Sequence, residues 1–135
     1  MRWEELTGDQ FPQAVQAVQG VCLLPLSCIE RGHHLPLGTD MFVGREMCQR
    51  AAALEPASVF PDFIFTQILE ARHVPGTIAI KPELFLRLLD NVCREIARNG
   101  LKKIGIVNAH TAATTRLFTS SRRFNSPARV TMWST

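Results

Sequence analysis

A chain of 135 residues, 46% hydrophobic and 20% charged, carries enough apolar material to bury a core in one domain and too much to stay disordered. Its net charge of +3 is mild, and no basic run is interleaved with aromatics, so no nucleic-acid surface is expected. No stretch approaches the roughly twenty apolar residues that span a bilayer. Met1-Arg2-Trp3-Glu4-Glu5 lacks the apolar segment of a secretory signal, so the expectation is a cytoplasmic protein with no membrane partner.

Residues 4 to 18 read as a helix. Thr7 or Asp9 caps its start, and Phe11, Val15 and Val18 share one face. Val21 to Leu26 is a continuous apolar run, the pattern of a parallel strand buried on both faces, and Pro25 is expected to fray its end. Glu30 to Asp40 follows as a loop, because Gly32, Pro36 and Gly38 disfavour regular helix. Asp40 is expected to cap a helix that runs through Met41, Met47 and Leu54. Ser58-Val59-Phe60 fits a short strand, Val74 to Thr77 a turn, and Thr77 to Ile80 another strand.

Pro82 suits the first turn of the clearest helix, in which Leu84, Leu88, Val92 and Ile96 recur every four residues beside Phe85, Leu89 and Cys93. Gly100 terminates it. Lys103 to Asn108 reads as a second buried strand, residues 109 to 115 as a loop leading toward a helix through Leu117 and Phe118, and Arg129 to Trp133 as a last strand. Strands alternating with helices predict an α/β domain with a mostly parallel sheet and helices on both faces. The four cysteines, Cys22, Cys28, Cys48 and Cys93, form no C-x-x-C pair. They read as buried free thiols of a reducing compartment rather than a disulfide framework or a zinc site.

In open α/β sheets, sites form at the carboxyl ends of strands. Two loops there carry residues that ligate divalent cations: Glu30 to Asp40, and Asn108-Ala109-His110-Thr111. If the two preceding strands are neighbours, Glu30, His33 or His34, Asp40 and His110 converge on one point, enough for a catalytic metal site. Taken singly, each has a blander role: Asp40 as a helix cap, Glu30, His33 and His34 as surface residues, His110 as a hydrogen-bonding partner within its own loop. A nucleotide-binding domain is disfavoured, since neither the G-x-G-x-x-G nor the G-x-x-x-x-G-K-[ST] fingerprint is present.

The segment from Leu24 to Asp40 resembles the signature of the creatininase (creatinine amidohydrolase) family, approximately L-P-x-G-S-x-E-x-H-G-x-H-L-P-L-x-T-D. Val74-Pro75-Gly76-Thr77-Ile78 resembles its F-P-G-T-x segment. The stretch from Asn99 to His110 resembles its G-x-x-x-I-x-x-x-N-G-H-G-G-N region. The resemblance covers roughly residues 20 to 118. It implies a three-layer α/β/α sandwich, of which residues 1–135 would form the N-terminal half as one domain incomplete at its C-terminus.

The same resemblance implies hydrolysis of C–N bonds in small, often cyclic amides with one or two divalent ions, zinc or manganese, with iron a further option. It also implies a homo-oligomer, a hexamer in the family, or a partner chain. By motif position Glu30 matches a carboxylate ligand, Asp40 the carboxylate that bridges two ions, and His110 the histidine of the N-G-H motif. The signature's histidine two residues after the glutamate has no counterpart, the chain being one residue shorter between Arg31 and Gly32. His33 is then expected as a replacement ligand and His34 as the proton carrier. The His110-Thr111-Ala112-Ala113 sequence replaces H-G-G-N. The alternative expectation is a catalytically inactive remnant that acts as a metal-binding or assembly module.

Overall fold

The computed structural model describes residues 1–30, 34–110 and 128–134. Among these, three α-helices and four strands alternate: α1 (Phe11–Ala17), β1 (Val21–Leu26), α2 (Thr39–Leu54), β2 (Ser58–Val59), α3 (Pro82–Arg98), β3 (Lys103–Asn108) and β4 (Arg129–Ser134). All strand pairings are parallel, in the order β2-β1-β3-β4. The chain leaves β1 toward β2 on one side and returns to place β3 on the other. Parallel crossovers keep one hand, so this reversal puts α2 and α3 on opposite faces of the sheet.

The core follows that split. Cys22, Leu24, Leu26, Ile104 and Ile106 project to one face and pack against Phe85, Leu89, Cys93 and Ile96 of α3, with Phe11 and Val15 of α1 alongside. Leu23 and Val107 project to the other face and meet Cys48 of α2, with Ala57 and Val59. Both faces of β1 and β3 are covered, which is why these strands read as unbroken apolar runs. The α/β/α layering expected from the sequence is present.

Several local expectations need correction. The first helix is shorter than residues 4 to 18. Trp3–Glu5 forms a separate 3-10 turn, and Thr7 and Gln10 exchange side-chain and backbone hydrogen bonds ahead of α1, the reciprocal pattern of a capping box. Asp40 does not cap α2. The helix begins at Thr39 behind Gly38, and Asp40 lies in its first turn with its side chain turned toward Cys28 and His110.

Residues 77–80 make no strand. The Ile78 amide donates to the Ile29 carbonyl and the Ile80 amide to the Thr66 carbonyl, so the segment straps two loops instead of joining a ladder. Pro25 does not end β1, which continues to Leu26. The carbonyls of Leu23 and Pro25 face the β2 side, where they accept from Phe60 and Phe63. The missing N–H of Pro25 therefore falls beyond the end of the two-residue β2, where no ladder bond is lost. The predicted helix near Leu117 lies outside the described residues. No helix among the described residues is long and apolar enough to cross a membrane.

Candidate metal centre

The reversal in strand order occurs between β1 and β3, and the crevice at their carboxyl ends is where doubly wound sheets place their ligands. Leu26 pairs with Asn108 at the last rung. The two chains emerge side by side, and the first turn of α2 arrives from above them. This close approach depends on Gly44, one turn after Asp40. A Cβ there would stand 3.2 Å from the Cβ of Ala109 and 3.8 Å from that of Pro25. Glycine lets α2 press its start onto both strand ends.

Each loop is held by its own hydrogen bonds. After β1, the Ser27 amide donates to the Phe63 carbonyl, and the Thr66 hydroxyl donates to the Ser27 carbonyl at 2.8 Å. After β3, the Asn108 side chain grips the backbone of His110 twice: Nδ2 donates to the His110 carbonyl at 2.8 Å, and Oδ1 accepts from the His110 amide at 3.2 Å.

These supports bring four donor side chains together. Ligand atoms of Cys28, Glu30, Asp40 and His110 all lie within 4.8 Å of one another. His110 Nδ1 is 3.0 Å from Asp40 Oδ2 and 3.7 Å from Glu30 Oε1. Cys28 Sγ is 3.2 Å from the same Asp40 oxygen. The side chains of Asp40, His110 and Glu30 are only 5%, 10% and 14% exposed. With both carboxylates ionised, the group is net negative whether or not the imidazole carries a second proton. Burial in low dielectric makes such a group costly unless a cation joins it. Two carboxylates, an imidazole and a thiol within this span suit a divalent ion, and the donor set fits the metal the sequence pattern implies.

Of the residues singled out in the sequence, Glu30, Asp40 and His110 are brought together. His34 is exposed and stands outside the group, and His33 lies outside the described residues. By sequence Cys28 reads only as a core thiol. Its place beside Asp40 depends on the fold of α2 over the strand end, for which no spacing rule exists.

The sequence profile of the creatininase family, described as creatinine amidohydrolase, matches residues 4–133. This chain belongs to the creatininase family. A creatinine amidohydrolase from Pseudomonas putida is 27% identical over 112 residues, covering 78% of this chain and 43% of the relative. Two solved creatininases share the fold: one with manganese and one variant of Zn–Zn type. Each superposes with a TM-score of 0.82 at 22% identity and covers 98% of this chain and 57% of its own. The chain thus spans about half the length of the relatives it matches.

Proposed function

We propose that this chain holds a divalent cation through Glu30, Asp40 and His110 and hydrolyses the C–N bond of a small, often cyclic amide. The observation that carries the reading is the convergence of those three side chains, from three separate elements, at the crevice between β1 and β3. A divalent ion bound there would polarise an amide carbonyl and lower the pKa of a water molecule.

The chain's own residues have distinct tasks. The carboxylates of Glu30 and Asp40 supply the charge that retains the cation. Asp40 Oδ2 and His110 Nδ1 lie 3.0 Å apart, so the two side chains face the same point, and Asn108 fixes the backbone that carries the imidazole. Burial of Asp40 and His110 keeps bulk water from screening these charges. His34, exposed on the loop ahead of α2, is assigned the proton delivered to the leaving nitrogen, and His33 a further ligand position. The family context supports zinc or manganese, one or two ions and a homo-oligomer. A second reading, metal binding without turnover, is favoured by the loop one residue shorter than the family signature at the place of its histidine.

The test is metal analysis of the purified chain with Glu30→Gln and His110→Ala, paired with hydrolysis assays on linear and cyclic amides. Bound metal and amide turnover, both lost in the variants, are expected. Metal without turnover selects the second reading, and absence of bound metal in the parent rejects both.

A further inference from the structure

Cys28 is set apart from the other three cysteines. Cys22 and Cys93 belong to the apolar cluster beneath α3, and Cys48 to the cluster beneath α2. Cys28 is fully buried yet belongs to neither. Its sulfur lies 3.2 Å from Asp40 Oδ2, the oxygen that also faces His110 Nδ1 at 3.0 Å. Ligands bound tetrahedrally at about 2.0–2.3 Å stand about 3.3–3.8 Å from one another. The Cys28–Asp40, His110–Asp40 and His110–Glu30 separations of 3.2, 3.0 and 3.7 Å are already close to this range. The widest pair in the group reaches at most 4.8 Å, so closing on one ion needs movement of about 1 Å.

We infer that Cys28 is a fourth ligand, a thiolate that makes this centre prefer zinc to manganese. The inference rests on the metal-holding reading above and adds the identity of a donor and the choice of ion. Oxygen and nitrogen donors can hold either manganese or zinc, whereas thiolate sulfur widens the preference for the softer zinc. Cys28 enters from the strand side of Glu30. The family signature has its histidine on the opposite side of that glutamate, where this chain is one residue shorter. On coordination the S–H bond breaks, the sulfur lone pair forms the metal bond, and the proton leaves to solvent, so uptake of one ion releases one proton from this residue.

Cobalt(II) and the metals alone test this on the full chain, purified anaerobically. The expected result is one equivalent of cobalt(II) bound with an intense near-ultraviolet thiolate-to-cobalt charge-transfer band. Cys28→Ser should keep the weak visible cobalt bands and lose that charge-transfer band. The same variant should bind zinc at least tenfold more weakly, about 1.4 kcal/mol, with manganese affinity nearly unchanged. The parent spectrum requires no variant to fold. If the parent binds cobalt(II) without the band, or Cys28→Ser retains parental zinc affinity, the thiolate ligand is wrong while the metal site stands. A parent that binds neither cobalt(II) nor zinc overturns both.

Discussion

His110 Nδ1 lies 3.0 Å from Asp40 Oδ2, although the two residues are 70 positions apart in the chain. The contact joins the first turn of α2 to the loop leaving β3, at the junction where the sheet reverses its order. A cation held there binds only the folded chain, so it stabilises by mass action. At a free zinc concentration about 1,000 times the Kd, the gain is about 4 kcal/mol. Thermal unfolding with and without zinc should show a clear rise in Tm for the parent and little rise for Asp40→Asn. An equal rise in both would remove Asp40 from the ligand set.

Asn108 touches the centre only through the backbone of His110 in the contacts described above, yet it should matter to both stability and metal. Asn108→Ala removes two buried hydrogen bonds, at an expected cost of about 1–3 kcal/mol. It also loosens the imidazole, for which losses of roughly 10–100-fold in metal affinity are typical of supporting residues. Urea denaturation and zinc titration read the two effects separately. Loss of stability with unchanged zinc affinity would confine Asn108 to a structural role.

Gly44 sets the distance of α2 from the strand ends. Gly44→Ala gains roughly 1 kcal/mol in helix propensity, but its Cβ meets Ala109 at a tight 3.2 Å, so a small net change is expected. Gly44→Val adds two methyl groups to that contact and should push the helix start, with Asp40, away from His110. The expected signature is a zinc affinity reduced more than about tenfold with far-ultraviolet dichroism retained, since overpacking shifts elements before it unfolds them. Parental zinc affinity in Gly44→Val would show that the helix start is not held by this contact.

The core thiols predict an alkaline limit. Burial, first among the causes, pushes Cys22, Cys48 and Cys93 from an ordinary value of 9.0 up to about 12. Each is neutral in the folded chain and ionises more readily when unfolded. Their contribution is therefore complete below pH 9 and is lost as pH climbs toward 12. The slope is on the order of 1 kcal/mol per pH unit for each thiol. Urea midpoints should stay nearly level from about pH 8 to about pH 9 and then fall steadily toward about pH 11, and native labelling of these three thiols at about pH 8 should be negligible. A flat profile would contradict neutral core thiols.

The legible parts of this chain are those in which one side chain reports one environment. Val21 to Leu26 and Lys103 to Asn108 are covered on both faces, so their apolar runs translate directly into central strands. Glu30, Asp40 and His110 stand out in the sequence because they lie in loops after such strands or in a specific motif, and the fold brings the three together. Other features depend on neighbours that sequence does not display. In α3 the repeat through Leu84 and Leu88 is not the core stripe. Both are exposed, and Phe85, Leu89, Cys93 and Ile96 face the sheet. Asp40 looked like a cap because an Asp ahead of a helix usually is one, but two partners from other elements claim its carboxylate. Cys28 looked like its three siblings because burial alone does not distinguish a core thiol from one that faces a carboxylate.

Pairing of β1 with β3 begins at Val21 with Lys103, the longest-range register in the described sheet. Closing so long a loop is entropically costly, so this junction is expected to form late in folding. Cys28, Glu30 and Asp40 are near neighbours in the chain, but His110 joins them only when that junction shuts. A cation held there would therefore act as a latch on a finished sheet rather than as a template for building it. Zinc should leave the refolding rate of the parent unchanged and slow its unfolding, the partition expected for contacts absent from the transition state. Stopped-flow refolding accelerated by zinc would show instead that the latch closes early.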